Sequence, residues 1–199
     1  VQGGTDVLVE LNFDRSRPPT LINLNEVAEL RGFSRENGTV VLGSGLTYAE
    51  AMRGAVAEEL PALAEASRTV GSPQIRNRGT IGGTIAHADP ASDLPATTLA
   101  LGATYVVQGP NGTRQIAAGD FYQGFLTSAL EADEMLTEIR VPKVPGAGWG
   151  FQKFNRRAQD WAIVGCAVVR SDTTRIGLVN MGVTPLRAEA AERALDSGA

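Results

Sequence analysis

Residues 71–95, GSPQIRNRGTIGGTIAHADPASDLP, form the stretch that decides how this sequence is interpreted. Glycine and proline interrupt it so often that no long regular element is expected there. The interrupting residues are Gly71, Pro73, Gly79, Gly82, Gly83, Pro90 and Pro95. Its centre, residues 79–84 (GTIGGT), predicts a glycine loop that allows close approach of a ligand, because glycine has no Cβ.

A second glycine loop, Gly3-Gly4-Thr5-Asp6, lies near the start of the sequence. Consecutive backbone N–H groups in such loops can form an anion nest, and Thr5, Thr80 and Thr84 could add hydroxyl donors. Two loops of this kind suit the pyrophosphate of a dinucleotide. Neither loop matches GxGxxG or GxxxxGK(S/T), which excludes Rossmann and P-loop sites. Taken alone, each glycine pair is also typical of an ordinary turn.

Four polar residues follow the second loop: His87, Asp89, Ser92 and Asp93. A carboxylate here could accept hydrogen bonds from ribose or ribityl hydroxyls. His87 is the sole histidine, so neither a histidine-containing metal cluster nor a nucleophilic triad is predicted. Pro90, between the two aspartates, favours a turn and a helix cap over a catalytic carboxylate pair.

Outward from this stretch, the pattern predicts a mixed α+β chain with two or more layers. Residues 1–2 are interpreted as the end of a strand, and residues 7–13 as a short helix or strand. Further strands are predicted over 20–24, 40–43, 105–108, 113–117, 136–141, 163–170 and 175–181. Helices are predicted over 47–58, opened by a capping box, and over 61–70, 94–101 and 187–195. The stretch 142–150 is predicted to connect two domains.

Composition limits the possible functions. The 199 residues carry 22 acids and 18 bases without a basic block, so nucleic-acid binding is not predicted. No apolar run approaches the roughly 18 residues of a membrane span. One cysteine, Cys166, is interpreted as a buried core thiol, which excludes a disulfide framework or an iron–sulfur cluster within these residues. This cysteine usage favours a cytoplasmic location, and both ends of the sequence look like those of a fragment.

The motif at 71–95 resembles the FAD-binding subunits or domains of molybdenum hydroxylases, whose usual pattern is IRNxxTIGGNLAxADPxSDLP. The opening VQGGTDVLVELN resembles the first FAD loop of that family, AGGTDLLxxMK. The segments LEADEMLTEIRVP and FQKFNRRAQDWAIVGCAVV resemble its later segments in the same order. The family includes the medium subunit of aerobic carbon monoxide dehydrogenase and the flavin domain of xanthine dehydrogenase, and the resemblance covers nearly all of the chain.

The resemblance implies a two-subdomain FAD-binding fold of the vanillyl-alcohol-oxidase type, followed by a smaller C-terminal α+β domain. Residues 1–143 would be the FAD-binding domain, lacking its N-terminal part, and residues 149–199 a truncated C-terminal domain. The implied function is that of a flavoprotein oxidoreductase subunit. Its non-covalent FAD would relay electrons from 2Fe–2S clusters to NAD, quinone or oxygen. The clusters and the molybdopterin would lie on small and large partner subunits, in a heterohexamer built as a dimer of trimers.

The resemblance also implies a set of cofactor-binding residues, with no catalytic residue and no metal ligand. Two loops would hold the pyrophosphate: Val1, Gln2, Gly3, Gly4, Thr5, Asp6 and Val7 in the first, and Thr80, Ile81, Gly82, Gly83 and Thr84 in the second. Asp93 would hold the sugar-side hydroxyls, with Asp89 close by. Thr84 departs from the family's usual asparagine, because it keeps a hydroxyl but loses the amide's paired donor and acceptor.

Four more residues would contact the cofactor: Val70 from the preceding helix, Leu136 through its backbone near the adenine or the flavin, Lys153 and Trp161. Lys153 would lie near the isoalloxazine carbonyl edge and stabilise negative charge on reduced flavin. Alternatively, it is a solvated strand lysine. Trp161 would cover one flavin face, or it is a core tryptophan at a domain junction.

Two other functions stay open at this point. A self-contained flavin oxidase or reductase of the related fold would carry a substrate-pocket acid, or attach its flavin covalently through His87 or Cys166. In a non-enzymatic binding domain, the glycine loops would be turns and no cofactor would bind.

Overall fold

A computed structural model describes residues 1–198, which form two separate antiparallel sheets with helices between them. The strands of the larger sheet are β1 Phe33–Glu36, β2 Thr39–Gly43, β3 Thr104–Gly109, β4 Gly112–Ala117 and β7 Met135–Pro142. They lie side by side in the order β1-β2-β7-β3-β4. The smaller sheet has the order β11-β10-β9-β8. Its strands are β8 Gly148–Phe154, β9 Val164–Arg170, β10 Thr174–Val179 and β11 Leu186–Arg187. A short hairpin pairs β5 Tyr122–Gly124 with β6 Thr127–Ser128.

The helices are short, as the glycine and proline content predicts. In chain order they are α1 Val7–Asn12, α2 Tyr48–Ala51, α3 Gly54–Glu59, α4 Pro61–Arg68, α5 Pro73–Arg78, α6 Ile81–His87, α7 Asp93–Ala100, α8 Ala118–Phe121 and α9 Glu189–Asp196. A 3₁₀ turn spans Ala28–Arg31. None of the helices within residues 1–198 is long and apolar enough to cross a membrane.

Local sequence explains the hairpins of the larger sheet. Asn37 and Gly38 both have positive φ (47° and 80°), which is the backbone of the tight turn that suits paired antiparallel strands. The strands predicted at 105–108 and 113–117 are also present and pair as a hairpin, with Gly109 opposite Gly112 across its turn. The mixed α+β prediction is confirmed by these sheets and by the helical layer.

Helix α7 joins the two sheets, and every one of its residues is buried. On one side, Gly177 of β10 leaves room for it, since a Cβ there would lie 1.9 Å from the Ala96 carbonyl oxygen. On the other side, the Thr98 hydroxyl contacts the Tyr105 hydroxyl at 2.6 Å, and Tyr105 contacts Tyr122 at 2.9 Å. One hydrophobic core therefore includes residues of both sheets. The boundary between residues 1–143 and 149–199 stays a prediction.

Several local predictions were wrong. Residues 1–2 and 20–24 are irregular, because they join no sheet. They contact each other through Val1, whose carbonyl oxygen accepts the Leu24 N–H and whose ammonium donates to Ile22 O. The capping box at Thr47 is confirmed, but the helix that it opens ends at Ala51 and a new one begins at Gly54, whose φ is +54°. The stretch 71–95 holds no long regular element, as predicted, but it contains the short helices α5 and α6 and the start of α7, so residues 81–84 lie in a helix and not in a loop.

Candidate functional site

Two neighbouring cavities, of about 390 Å³ and about 580 Å³, lie where the two glycine loops meet. We call them the first cavity and the second cavity. They share five lining residues, Thr5, Asp6, Tyr48, Thr84 and His87. Val1–Val7, Thr80, Gly82, Gly83, Thr84 and Leu136 line the first cavity. Thr5, Asp6, Val70, Thr84, Asp89, Asp93, Lys153 and Trp161 line the second. Of the cofactor-binding residues predicted from sequence, only Ile81 lines neither.

The first loop, Val1–Val7, lines the first cavity. Gly4 has a φ of +77°, a conformation that residues with a Cβ rarely adopt. Within residues 1–198, no hydrogen-bond acceptor contacts the N–H groups of residues 3–7. The chain then enters α1 at Val7. Consecutive N–H groups without a protein acceptor are what the predicted anion nest requires, and the nest itself stays a prediction.

The two glycine loops are in direct contact. A Cβ on Gly3 would lie 2.5 Å from the Arg78 carbonyl oxygen and 3.0 Å from the Cα of Gly79. Glycine at position 3 is therefore required by packing between two backbones. This contact places the free donors of the first loop beside the start of α6.

The second loop is the first turn of helix α6, and this corrects the prediction that both loops offer free amides. The Ile81 N–H donates to Leu46 O at 2.8 Å, and the Gly82 N–H donates to Ser44 O at 2.8 Å. The Gly83 N–H donates to the hydroxyl of Thr80, the N-cap, at 3.0 Å. Ile81 is fully buried in the core, which is why it lines neither cavity. The second loop offers the Thr84 hydroxyl and a close-packed surface instead.

A segment that the sequence analysis overlooked, Ser44–Tyr48, holds both loops. It accepts the two hydrogen bonds from Ile81 and Gly82, and the Tyr48 N–H donates to Gly79 O at 3.1 Å. At Gly45, a Cβ would lie 2.0 Å from the side-chain nitrogen of Gln2. The pair Gly43 and Gly45, between a strand and a capping box, was the available signal, but only the tertiary contacts give it meaning.

Tyr48 and His87 are further residues that the sequence analysis did not place in the site, although both line the two cavities. Burial raises the pKa of Tyr48 well above its ordinary value, so its phenol stays neutral. Glu134 lines the first cavity beside Leu136. The Arg114 guanidinium and the Glu131 N–H hold the pKa of Glu134 at about 2, so this carboxylate is ionised.

The second cavity contains a buried ion pair. Lys153 Nζ lies 2.7 Å from Asp93 Oδ2, and the side chains are only 6% and 3% exposed. The Thr69 hydroxyl also donates to Asp93 Oδ2 at 3.0 Å, and Lys153 Nζ donates to Thr69 O at 3.2 Å. Burial raises the pKa of the Asp93 carboxyl, while the Lys153 charge and the two hydrogen bonds lower it. Lys153 is thus not the solvated strand lysine that was the alternative prediction.

One carboxylate oxygen of this ion pair accepts no hydrogen bond from the described residues. Asp93 Oδ1 is buried and has no hydrogen-bond partner within residues 1–198. An unpartnered carboxylate oxygen is costly to bury, so a donor from a bound ligand would stabilise it. Among the residues described, no group of three His, Cys, Asp or Glu side chains could hold a metal ion. The site therefore fits a polar organic ligand.

Trp161 lines the second cavity and is 58% exposed. It is therefore not a core tryptophan, which was the alternative prediction. The Asp89 carboxylate accepts the Ala91 N–H at 2.8 Å, which makes it part of the turn around Pro90. Val70 and Asp89 complete the predicted residues in this cavity.

Comparison with known proteins agrees with this geometry. The family model described as "FAD binding domain in molybdopterin dehydrogenase" matches residues 1–144. The carbon monoxide dehydrogenase medium chain of Hydrogenophaga pseudoflava is 42% identical, over 94% of this chain and 68% of that protein. Caffeine dehydrogenase subunit beta of Pseudomonas sp. is 36% identical, over 96% of this chain and 68% of that protein. The solved structure of carbon monoxide dehydrogenase from Hydrogenophaga pseudoflava, 42% identical, superposes with a TM-score of 0.93, over 98% of this chain and 70% of that one.

Proposed function

This chain belongs to the family of FAD-binding domains of molybdopterin dehydrogenases, and we propose that its two joined cavities bind one molecule of FAD. It is thus part of a flavoprotein subunit of an oxidoreductase. The observation that carries the proposal is the pair of cavities, which meet beside five free backbone donors of the first loop. A dinucleotide has two bulky halves and a doubly charged centre, and this site offers space for two halves with donors at their junction.

The distribution of the predicted residues suggests which half of FAD each cavity holds. Lys153 and Trp161, which the resemblance assigns to the flavin, line the second cavity. Leu136, which could contact the adenine or the flavin, lines the first cavity. We therefore assign the first cavity to the adenosine half and the second to the flavin half. The pyrophosphate then lies at the shared residues, beside Thr5 and Thr84.

Two polar groups of the second cavity have hydrogen-bonding capacity left for the cofactor. The ammonium of Lys153 has three donors, of which Asp93 and Thr69 occupy two. The third is free to reach a carbonyl oxygen of the flavin. Asp93 Oδ1 is a free acceptor, which suits a ribityl hydroxyl. Asp93 thereby holds Lys153 in place as well as the sugar chain.

FAD supplies the redox chemistry, since a flavin can take up and pass on electrons one at a time. The chain's own residues bind and orient the cofactor, and no acid–base pair is required of them. The named relatives are the medium chain of carbon monoxide dehydrogenase and the beta subunit of caffeine dehydrogenase. By analogy with these multi-subunit enzymes, electrons would arrive from 2Fe–2S clusters of a small subunit and originate at molybdopterin in a large one. NAD, quinone or oxygen would accept them.

We further propose that the subunit assembles as a heterohexamer, a dimer of trimers, in the cytoplasm. The single cysteine supports the location. The alternative of a self-contained oxidase is not favoured, because Cys166 lies on β9 and lines neither cavity. His87 lines both, and acid release of the flavin would test whether it is attached there.

The first test is the visible spectrum of the purified full-length subunit in its complex, followed by treatment with acid. Released FAD together with flavin bands is the expected result. A colourless, folded protein that binds no added FAD would overturn the proposal, and a flavin that stays attached would favour the self-contained oxidase.

A matched pair of tryptophan variants would locate the flavin. Trp161→Ala should lower FAD affinity several-fold, because it removes an aromatic face at the second cavity. Trp149→Ala is the control, since Trp149 is similarly exposed (45%) but lies in a groove beside Pro145 that is separate from both cavities. Equal affinities of the two variants would place the flavin elsewhere.

A further inference from the structure

His87 occupies the junction of the two cavities, and the family resemblance gives it no role. It ends helix α6, is half-buried, and lines both the first and the second cavity. Its imidazole nitrogens have no hydrogen-bond partner within residues 1–198. In the family pattern IRNxxTIGGNLAxADPxSDLP, this position is an unspecified x.

The charges around the junction show why a histidine there matters. The first cavity is lined by the carboxylates Asp6 and Glu134 and by no lysine or arginine. The second cavity has two basic residues, Arg15 and Lys153, and each already faces a carboxylate, Glu10 at 3.5 Å and Asp93 at 2.7 Å. A pyrophosphate at the junction would meet backbone N–H donors but no unpaired lysine or arginine among the described lining residues. His87 is the remaining side chain there that can become positive.

We propose that the His87 imidazole binds the pyrophosphate of FAD and becomes protonated as it does so. The inference rests on the proposed function, since it assumes that FAD occupies the two cavities. A protonated imidazole can donate a charge-assisted hydrogen bond to a phosphate oxygen, which is stronger than a bond between neutral groups. The position at the C-terminal end of α6 also favours a positive side chain.

This contact makes cofactor affinity depend on pH. Histidine titrates between about pH 5 and pH 8, and a neighbouring phosphate favours the protonated form. FAD should therefore bind more tightly at the acidic end of this range, and affinity should fall as the imidazole loses its proton.

Other titratable groups around His87 have to be separated from it. In the first cavity they are Asp6 and Glu134, which is ionised against Arg114. In the second they are Glu10, Asp89, Asp93 and Asp160, with Arg15 and Lys153. On β7, which packs against α6, Glu138 pairs with Arg140 at 2.8 Å and neither lines a cavity. Burial raises the pKa of Asp93 overall, whereas Arg114 lowers that of Glu134, so a variant of His87 is needed to assign any pH effect.

The experiment uses the full-length subunit in its complex after removal of the flavin. The dissociation constants of FAD and of riboflavin, which lacks phosphate, are measured at about pH 6 and about pH 8.5. The variants are His87→Gln, which cannot become positive, and His87→Lys, which is positive at both pH values. Thermal unfolding without flavin shows whether each variant is folded.

The proposal expects the wild type to bind FAD roughly tenfold more tightly at the lower pH. His87→Gln should bind weakly at both pH values, and His87→Lys tightly at both. Riboflavin should show neither difference. A pH dependence that persists in His87→Gln would assign it to Asp93 and overturn the inference. If His87→Gln loses as much affinity for riboflavin as for FAD, the inference is also overturned, because His87 would then contact the flavin ring and not the phosphate.

Two further outcomes keep the result unambiguous. If the wild type binds no FAD at either pH, the proposed function itself fails, and not only the role of His87. If His87→Gln does not fold, NMR of labelled histidine in the wild type replaces it. Added FAD should then keep the imidazole protonated to a higher pH, and an unchanged titration would overturn the proposal.

Discussion

The two glycine loops are similar in sequence but have different roles in the structure. In Val1–Val7, the N–H groups of residues 3–7 have no acceptor within the described residues, and Gly4 adopts a positive φ. In Thr80–Thr84, the N–H groups of Ile81, Gly82 and Gly83 are all bonded to neighbouring protein atoms. The first loop therefore has the properties of a binding loop, and the second has those of a structural support.

The reason for glycine differs accordingly. At Gly4 the backbone conformation requires it. At Gly82 the neighbour requires it, because a Cβ would lie 2.4 Å from Ser44 Cβ and 2.7 Å from Ser44 O. A glycine pair in a sequence thus indicates close approach, but the approaching group can be a ligand or another part of the same chain.

The largest expected effect would come from disrupting the contact between the second loop and Ser44. Gly82→Ala forces the start of α6 away from Ser44, and overpacking of this kind costs about 2–3 kcal/mol. For a chain of this size, thermal unfolding without flavin should shift down by about 5–10 °C. Gly119→Ala is the control, since a Cβ there meets nothing within 4 Å. An unchanged melting temperature for Gly82→Ala would contradict the supporting role.

A change in the first loop should affect binding more than stability. Gly4→Ala forces a residue with a Cβ into a φ of +77°, which costs about 1–2 kcal/mol and displaces the free N–H groups. FAD affinity should fall about tenfold. The matched control is Gly38→Ala, which has the same backbone strain (φ +80°) in the turn between β1 and β2. It should lose similar stability and keep wild-type affinity for FAD, and a similar affinity loss in both variants would refute a specific role of the first loop.

The cap of the second loop offers a smaller test. Thr80→Val removes the hydroxyl that accepts the Gly83 N–H, and loss of an N-cap costs about 1 kcal/mol. Thr80→Ser keeps the acceptor and should restore most of the stability. Chemical denaturation of the flavin-free protein measures both. If Thr80→Ser restores FAD affinity without restoring stability, Thr80 contacts the cofactor directly. The second loop would then bind FAD and not only support the first loop.

The smallest effect is expected where the first loop meets the segment Ser44–Tyr48 through a flexible side chain. Gly45→Ala would place a Cβ 2.0 Å from the Gln2 side-chain nitrogen, which can move away, so the loss should stay below about 1 kcal/mol. The double variant with Gln2→Ala should recover that loss, since the clashing amide is gone. A double-mutant cycle on unfolding free energies gives the coupling. Additive changes in unfolding free energy would show that the Gln2 side chain does not contact Gly45.

Much of the secondary structure could be predicted because its signals are local. The turn at Asn37-Gly38, the hairpin at 105–117 and the capping box at Thr47 each depend on neighbouring residues, and all three are present. The errors have tertiary causes. The predicted strand at 20–24 joins no sheet, and the helix from Thr47 stops at Ala51. A short apolar run does not specify its partners.

The sequence by itself determined the family, the mixed fold and a list of site residues of which all but Ile81 line the two cavities. It did so because a long motif preserves the order and type of residues that a site needs. Only the tertiary structure decided which amides are free, that Asp93 pairs with Lys153 across 60 positions of the chain, and that Tyr48 and His87 lie at the junction. The physical reason is that hydrogen bonds and charges are satisfied by groups close in space. The separation of two residues along the chain does not indicate whether they are in contact.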